Sequence, residues 1–337
     1  MPEDRFLALT SHERRELMEE ASRLTGLAPI ILEKDFWVCH TLHHLFSLPE
    51  WKDHLIFKGG TSLSKVYGLI HRFSEDVDIS IHRDLLGFAS PDTDPELATG
   101  KEQRRRLEAL QTACTLRIRD GLLPALKSAL ENMGTLDAPN DLTVDPDDPQ
   151  TLLYRYPRSG ITGPEYLRPV IRIELGARSD AWPAETRTVQ SYLGEKFGGG
   201  MGEASVSALK PERTFWEKAT LLHAEAHRDP AQHQPARISR HYHDLASLAS
   251  STALLTRALG DSALRGRVVR HKQIYFRSAR AHYEDCIPGN FKLLPPRERL
   301  PELERDHQDM LPMFFTTPLD FNTMLQSLQT LETRINS

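Results

Sequence analysis

Apolar residues recur at helical spacing near the start of the chain, with Leu17, Met18, Ala21 and Leu24 on one face. Thr10-Ser11-His12-Glu13 is a capping box that would open this helix, and Gly26 would stop it. A second helix is predicted over about 28–46, where Ile31, Phe36, Trp37, Leu42 and Leu45 supply the apolar surface. The period then changes. His54 to Phe57 is a short apolar run ending at Gly59-Gly60, a buried strand entering a tight turn. Residues 61–70 return to helical spacing through Leu63, Val66, Tyr67 and Ile70. Val77, Ile79 and Ile81 alternate with Asp78 and Ser80, the period of a half-buried strand.

A long charged helix is expected over about 101–133, then a loop dense in Asp and Pro over 137–150. Further strands are expected at 151–156, at 168–176 (Val170, Ile171, Ile173, Leu175) and near 187–192. From Pro211 the pattern is helical, over about 211–228, 239–249, 252–259, 266–284 and 318–335. Six prolines between 286 and 318 predict an extended wrap or linker there. The sequence contains no internal repeat. A mixed α/β half, residues 1–205 with its N-terminal helices, is followed by an α-helical half, residues 206–337.

Composition narrows the class without naming a function. At 337 residues the chain is long enough for two packed domains, and 39% hydrophobic with 26% charged content is that of an ordinary globular protein. A net charge of −5 excludes a strongly basic protein, although a local basic groove can still bind nucleic acid. Cys39, Cys114 and Cys286 are scattered and form no CxxC pair, which argues against a disulfide framework or zinc site. The first residues are charged where a secretory signal would be apolar, and no apolar run approaches the ~20 residues of a membrane span. A cytoplasmic protein without membrane contact is the expectation.

The chemistry concentrates in Lys58-Gly59-Gly60-Thr61-Ser62 and in Arg72-Phe73-Ser74-Glu75-Asp76-Val77-Asp78. A strand ending in two glycines lets backbone approach a ligand closely, since neither residue has a Cβ. The helix that follows presents free N–H groups suited to phosphate, and Thr61 and Ser62 add hydroxyl donors. Thirteen residues separate Ser62 from Asp76, enough for that helix and a return to the next strand. On the strand Asp76 and Asp78 are i and i+2, so both carboxylates point to one face. Two hard oxygen ligands suit Mg²⁺, with Mn²⁺ as the alternative, and a metal there would bridge the phosphates of an NTP substrate. A lone DxD is usually surface decoration and a lone Gly-Gly only a turn. The order strand, GGTS, helix, DxD, strand carries the metal site.

KGGTSLSK followed by RFSEDVDI resembles the AbiEii/AbiGii-type nucleotidyltransferase toxins, a branch of the DNA polymerase β-like superfamily. Glu33-Lys34-Asp35 with Trp37 resembles the family's N-terminal helix. Arg213 to Leu221 resembles its helical lysine motif, and Arg240-His-Tyr-His-Asp244-Leu its terminal aspartate motif. The resemblance spans about 28–250 and implies an α/β (α+β) chain, a polymerase β-like nucleotidyltransferase core with an α-helical C-terminal domain. In that superfamily a third carboxylate lies on a neighbouring strand. Glu174 is the acid of the run Val170 to Leu175, and the alternative is an edge-strand glutamate paired with Arg172. The resemblance makes Lys218 a phosphate-binding lysine; without it, Lys218 is a solvated helix residue. Asp244 would orient Lys218 or receive a hydroxyl, or else serve as a helix N-terminal or ion-pair aspartate. Arg72 and Ser74 would position the triphosphate, while Lys58 could instead pair with an acidic neighbour. His241 and His243 are spaced like a metal pair, but HxH on a helix puts the rings on different faces.

The implied activity is transfer of a nucleoside monophosphate from an NTP to an RNA acceptor, the tRNA 3′ end, within a toxin–antitoxin or phage-defence pair, with a separate antitoxin as partner. Between Asp261 and Glu284 there is no acid, while Arg265, Arg267, Arg270, Lys272, Arg277 and Arg280 alternate with Tyr275, Phe276 and Tyr283. Such a mixture suits RNA, and an amphipathic helix with a basic solvated face is the competing reading. Arg104-Arg105-Arg106, compensated by Glu102 and Glu108, is a solvated helix face. Other readings of the whole chain are a transferase acting on a protein or small molecule, and an inert nucleotide-binding module.

Overall fold

The computed structural model describes residues 5–162, 169–229 and 232–337. The chain forms two compact units, residues 1–66 with 74–209, and residues 67–73 with 210–337.

The first unit opens with α1 (Ser11–Thr25). Thr10 accepts from the Glu13 N–H while the Glu13 carboxylate takes the Thr10 N–H, and Gly26 ends the helix at φ 74°. The second helix, α2 (Pro29–Leu45), is buried at 15 of its 17 positions. Proline at its start costs no hydrogen bond, because the first N–H groups of a helix lack intrahelical partners anyway.

Then follow β1 (Leu55–Lys58), α3 (Gly59–Lys65) and β2 (Asp76–Ile81). The helix predicted over 61–70 is shorter than expected and begins on the glycines themselves. Its extension is cut off before Gly68, which stands at φ 60°. The single helix predicted over 101–133 is α4 (Gly100–Arg117), a π-helical stretch Ile118–Leu122, and α5 (Leu123–Asn132). Pro124 lacks the N–H that a continuing α-helix needs, which favours the wider turn before it. Gly121 sits there against Trp51, where a Cβ would lie 3.2 Å from the indole.

The unit is completed by β3 (Leu142–Val144), β4 (Thr151–Tyr154), β5 (Ile171–Gly176), β6 (Ala184–Gln190), α6 (Tyr192–Phe197) and β7 (Glu203–Leu209). The predicted loop at 137–150 therefore contains a short strand. Of the strand expected at 168–176, Arg168 lies outside the described residues. The seven strands form one mixed sheet in the order β3-β4-β5-β2-β1-β7-β6. The central strand β2 runs antiparallel to β1 and parallel to β5. Val77, Ile79 and Ile81 are fully buried, whereas Asp76 and Asp78 are half-buried on the opposite face.

The second unit is helical: α7 (Pro211–Ala226), α8 (Ser239–Ser250), α9 (Thr252–Gly260), α10 (Ser262–Tyr275), α11 (Leu300–Asp309) and α12 (Phe321–Asn336). Two expectations are corrected. The helix predicted over 266–284 starts four residues earlier, because Asp261 caps it by accepting from the Leu264 N–H at 2.9 Å, and it ends at Tyr275. The stretch 286–318, expected to be an extended wrap, contains α11, whose Pro301 occupies the first turn where proline is tolerated. Segment 67–73 is held in this unit by two backbone bonds: Phe73 N–H donates to the Met313 carbonyl at 2.6 Å, and Phe315 N–H to that of His71 at 3.0 Å. The three cysteines are buried free thiols, and among the described residues no helix is long and apolar enough to cross a membrane.

Candidate active site

Sheet register sets the first unit's site. Asp78 lies opposite Lys58 on β1 and opposite Glu174 on β5, and Asp76 lies opposite Arg172. Directly opposed residues share a face, so Asp76, Asp78 and Glu174 present three carboxylates on the same side of the sheet, with Lys58 and Arg172 among them. β5 is an interior strand, so Glu174 is not at an edge. Its Oε1 lies 3.6 Å from Arg172 Nε, and Arg172 Nη1 donates to Asp145 Oδ2 at 2.7 Å. Lys58 Nζ is 3.9 Å from Asp78 Oδ1.

Gly59 has a more specific purpose than close approach of a ligand. It stands at φ 78°, and a Cβ built there would lie 1.9 Å from Asp78 Oδ2. The absent side chain is the space in which the Asp78 carboxylate sits. Thr61 serves the same strand, its hydroxyl donating to the Asp76 carbonyl at 2.5 Å. That proton, expected to point at phosphate, is used to tie α3 to β2. Ser62 Oγ is buried without a hydrogen-bond partner among the described residues, and Ser74 is half-buried just before β2.

These residues fit a divalent cation: half-buried hard oxygens on one face, and a cradle at Gly59 that a Cβ would fill. In the second unit, potential ligand atoms of His282, Glu284 and Asp285 lie within 4.8 Å of one another, a trio that no sequence motif singles out.

The buried charges of α2 find partners that the sequence alone does not indicate. Lys34 pairs with Glu75, which directly precedes Asp76, and Asp35 pairs with Lys65 at 3.0 Å. Burial would lower the Lys65 pKa, yet Asp35 beside it raises it above the ordinary lysine range. The signal that could have found them is three consecutive charged residues inside an otherwise apolar helix.

In the second unit the structure brings Arg72, Lys218 and Asp244 together. Asp244 is fully buried and takes Arg72 Nε and Nη2, each at 2.8 Å, as a two-pronged pair, with Lys218 Nζ also at 2.8 Å. Burial would raise the Asp244 pKa, but Arg72 and Lys218 outweigh it and hold the carboxyl far below its usual range. Burial likewise lowers the Lys218 pKa, against the pull of Asp244. His241 Nδ1 lies 3.3 Å from Lys218 Nζ. An ammonium can only donate, so this nitrogen accepts, consistent with an imidazole kept neutral by burial and by Lys218. His243 packs instead against Phe314, with ring centroids 4.4 Å apart, so the two histidines do not converge.

The family model described as "Nucleotidyl transferase AbiEii toxin, Type IV TA system" matches residues 40–327. The chain belongs to the AbiEii nucleotidyltransferase toxin family. It is a nucleotidyltransferase, the toxin of a type IV toxin–antitoxin system. Among solved structures it is similar to MenT4, a nucleotidyltransferase toxin from Mycobacterium tuberculosis H37Rv, at 17% identity and a TM-score of 0.42, covering 90% of this chain and 99% of that one. No curated protein matches the chain by sequence.

Two outcomes follow for this AbiEii-family chain. Gly59→Ala places a methyl group inside the Asp78 carboxylate and holds an L-residue at positive φ, which by itself costs about 1–2 kcal/mol. It should lower the thermal midpoint and abolish nucleotide transfer; normal transfer would show that Asp78 does not need its present position. Asp244→Asn leaves two buried cations facing a neutral amide, a loss of about 3–5 kcal/mol in a urea titration. The folded pKa of Asp244 is depressed, so its stabilisation is complete above the unfolded value of about 3.9 and is lost as pH falls below it. The unsubstituted protein should therefore lose more stability than Asp244→Asn between pH 5 and about pH 2. Parallel acid profiles would remove the ion cluster as a source of stability.

Proposed function

We propose that the protein transfers a nucleoside monophosphate from an NTP to an RNA acceptor, the tRNA 3′ end, with Mg²⁺ or Mn²⁺ held by Asp76, Asp78 and Glu174. The observation that carries this reading is the common face of Asp76 and Asp78, with the Asp78 carboxylate set into the space that Gly59 leaves open. When bound, the metal supplies positive charge to phosphate oxygens and lowers the pKa of an attacking hydroxyl.

The chain's own residues provide the rest of the first unit's part. Gly59, Gly60 and Thr61 occupy the first turn of α3, where N–H groups lack intrahelical partners, and we assign these groups to phosphate. Ser62 offers a hydroxyl that no described protein group engages. In the second unit Lys218 and Arg72 are cations held rigidly beside the Asp244 carboxylate. A fixed positive charge has the sign that a phosphate requires, and we assign Lys218 to phosphate with Asp244 orienting it.

Support for RNA comes from charge. Arg267, Arg270, Arg277 and Arg280 are exposed on and just after α10. The aromatics contribute less than the sequence suggests. Tyr275 is 1% exposed, because it falls on the same helix face as Leu264, Val268 and His271, and Phe276 is half-buried under Lys272, 4.5 Å from its ring centre. Binding would rest on phosphate contacts rather than base stacking. We place the reaction in the cytoplasm, where NTPs and tRNA are available, as one arm of phage defence checked by the cognate antitoxin.

The direct test replaces the metal ligands. Asp76→Ala and Asp78→Ala should each abolish label transfer from NTP in single-turnover assays with total RNA while leaving the thermal melt close to that of the unsubstituted protein. Near-normal transfer by either would remove the metal assignment. A second test concerns the acceptor. Replacing Arg270, Lys272 and Arg277 with Gln should weaken RNA binding and reduce the slope of log K against log salt by roughly 0.7–0.9 for each phosphate that is no longer neutralised. NTP affinity should be unchanged. Identical slopes would make α10 an ordinary helix with a basic solvated face.

A further inference from the structure

Glu33, Lys34 and Asp35 lie in the middle of a helix buried on nearly every side, at 0%, 2% and 3% exposure. Successive helical residues are turned by about 100°, so their three side chains leave α2 in three directions. Each meets a different segment of the same unit. Glu33 accepts from the Ser159 N–H at 2.7 Å, in the connection between β4 and β5. Asp35 accepts from the Tyr192 N–H at 2.7 Å, at the start of α6, and from Lys65, the last residue of α3. Lys34 Nζ lies 2.5 Å from Glu75, the residue through which the chain enters β2.

Buried ion pairs are a poor source of stability, because apolar side chains of the same volume would fill the space without loss of hydration. What they supply is placement. The connection between α3 and β2 passes through segment 67–73, and β2 must begin at the one position that sets Asp76 and Asp78 opposite Arg172 and Glu174. At that entry point Lys34 holds Glu75, while Thr61 holds the Asp76 carbonyl. A strand that slipped by one residue would turn both aspartates into the core.

We propose that Lys34 and Glu75 are positioning residues for the metal site: their ion pair fixes the entry of β2 and thereby the Asp76 and Asp78 carboxylates. The proposal rests on the metal role assigned to those aspartates under Proposed function. Partners one step removed from metal ligands set affinity by orienting the ligands, and their loss typically costs 10–100-fold.

The test is a Mn²⁺ titration of the full chain without nucleotide, reading free Mn²⁺ by electron paramagnetic resonance, with a thermal melt of each variant. Lys34→Met and Glu75→Gln should each weaken Mn²⁺ binding at least tenfold in protein that remains folded. The double variant should be no weaker than the poorer single one, because both act through one link. Lys34→Arg, which keeps the charge, should bind within threefold of the unsubstituted protein. If Lys34→Met does not fold, Glu75→Gln carries the measurement, since it keeps the volume and removes only the charge. Folded variants that bind Mn²⁺ within twofold of the unsubstituted protein overturn the positioning role. Asp76→Ala and Asp78→Ala separate the two levels. If they bind Mn²⁺ normally, the metal reading itself fails. If they lose it while Lys34→Met and Glu75→Gln keep it, the metal reading stands and the positioning proposal falls.

Discussion

The Asp78 carboxylate and a side chain at position 59 would need the same volume, and only one of them can have it. Much of the first unit is arranged around that exclusion. β1 has to end at Lys58 so that Gly59 comes next at positive φ, and α3 starts on the glycines themselves. β2 must run antiparallel to β1 in the register that brings Asp78 beside Lys58, and parallel to β5 in the register that brings Glu174 level with it. The glycine thus fixes where an acid stands, rather than only opening the backbone to a ligand.

In the second unit a buried carboxylate is the organising charge. Asp244 on α8, Lys218 on α7 and Arg72 on segment 67–73 come from distant parts of the sequence, yet each donor lies 2.8 Å from a carboxylate oxygen. An aspartate with no exposed surface is tolerable only because two cations surround it. The same contact satisfies both cations, so the three residues stand or fall together. Its sequence neighbours Ser74 and Asp76 associate Arg72 with the DxD strand; in the structure its guanidinium is committed to Asp244.

Strong local signals were legible in the sequence and weak or long-range ones were not. The Thr10–Glu13 capping box, the Gly26 stop and the Asp76/Asp78 alternation are short-range rules, and the structure follows each. β7 escaped detection although it pairs with the central part of the sheet, because its core-facing Ala204, Val206 and Ala208 alternate with serines and a glutamate and give little contrast in hydropathy. α11 was hidden by prolines that mark an extended chain elsewhere but suit the first turn of a helix. The AbiEii motifs brought Lys218 and Asp244 to notice, with Asp244 orienting Lys218 as one of the roles they implied. The pairing of Arg72 with the same aspartate is a tertiary fact, as is the union of Lys34 with Glu75. Tyr275 illustrates the opposite error: an aromatic between basic residues suggested a stacking platform, while the helical period puts it in the core.

The placement of residues 67–73 with the second unit bears on how such a protein can be inherited. The chain passes between the units at three points, near residues 66, 73 and 209, rather than at one. A gene fragment ending at Leu209 would encode Arg72 without the aspartate that neutralises it, and one beginning at Lys210 would encode Asp244 with half of its counter-charge missing. Neither half is a cassette that recombination could exchange at a single joint. An exchange at the joint between Leu209 and Lys210 alone would part position 72 from position 244.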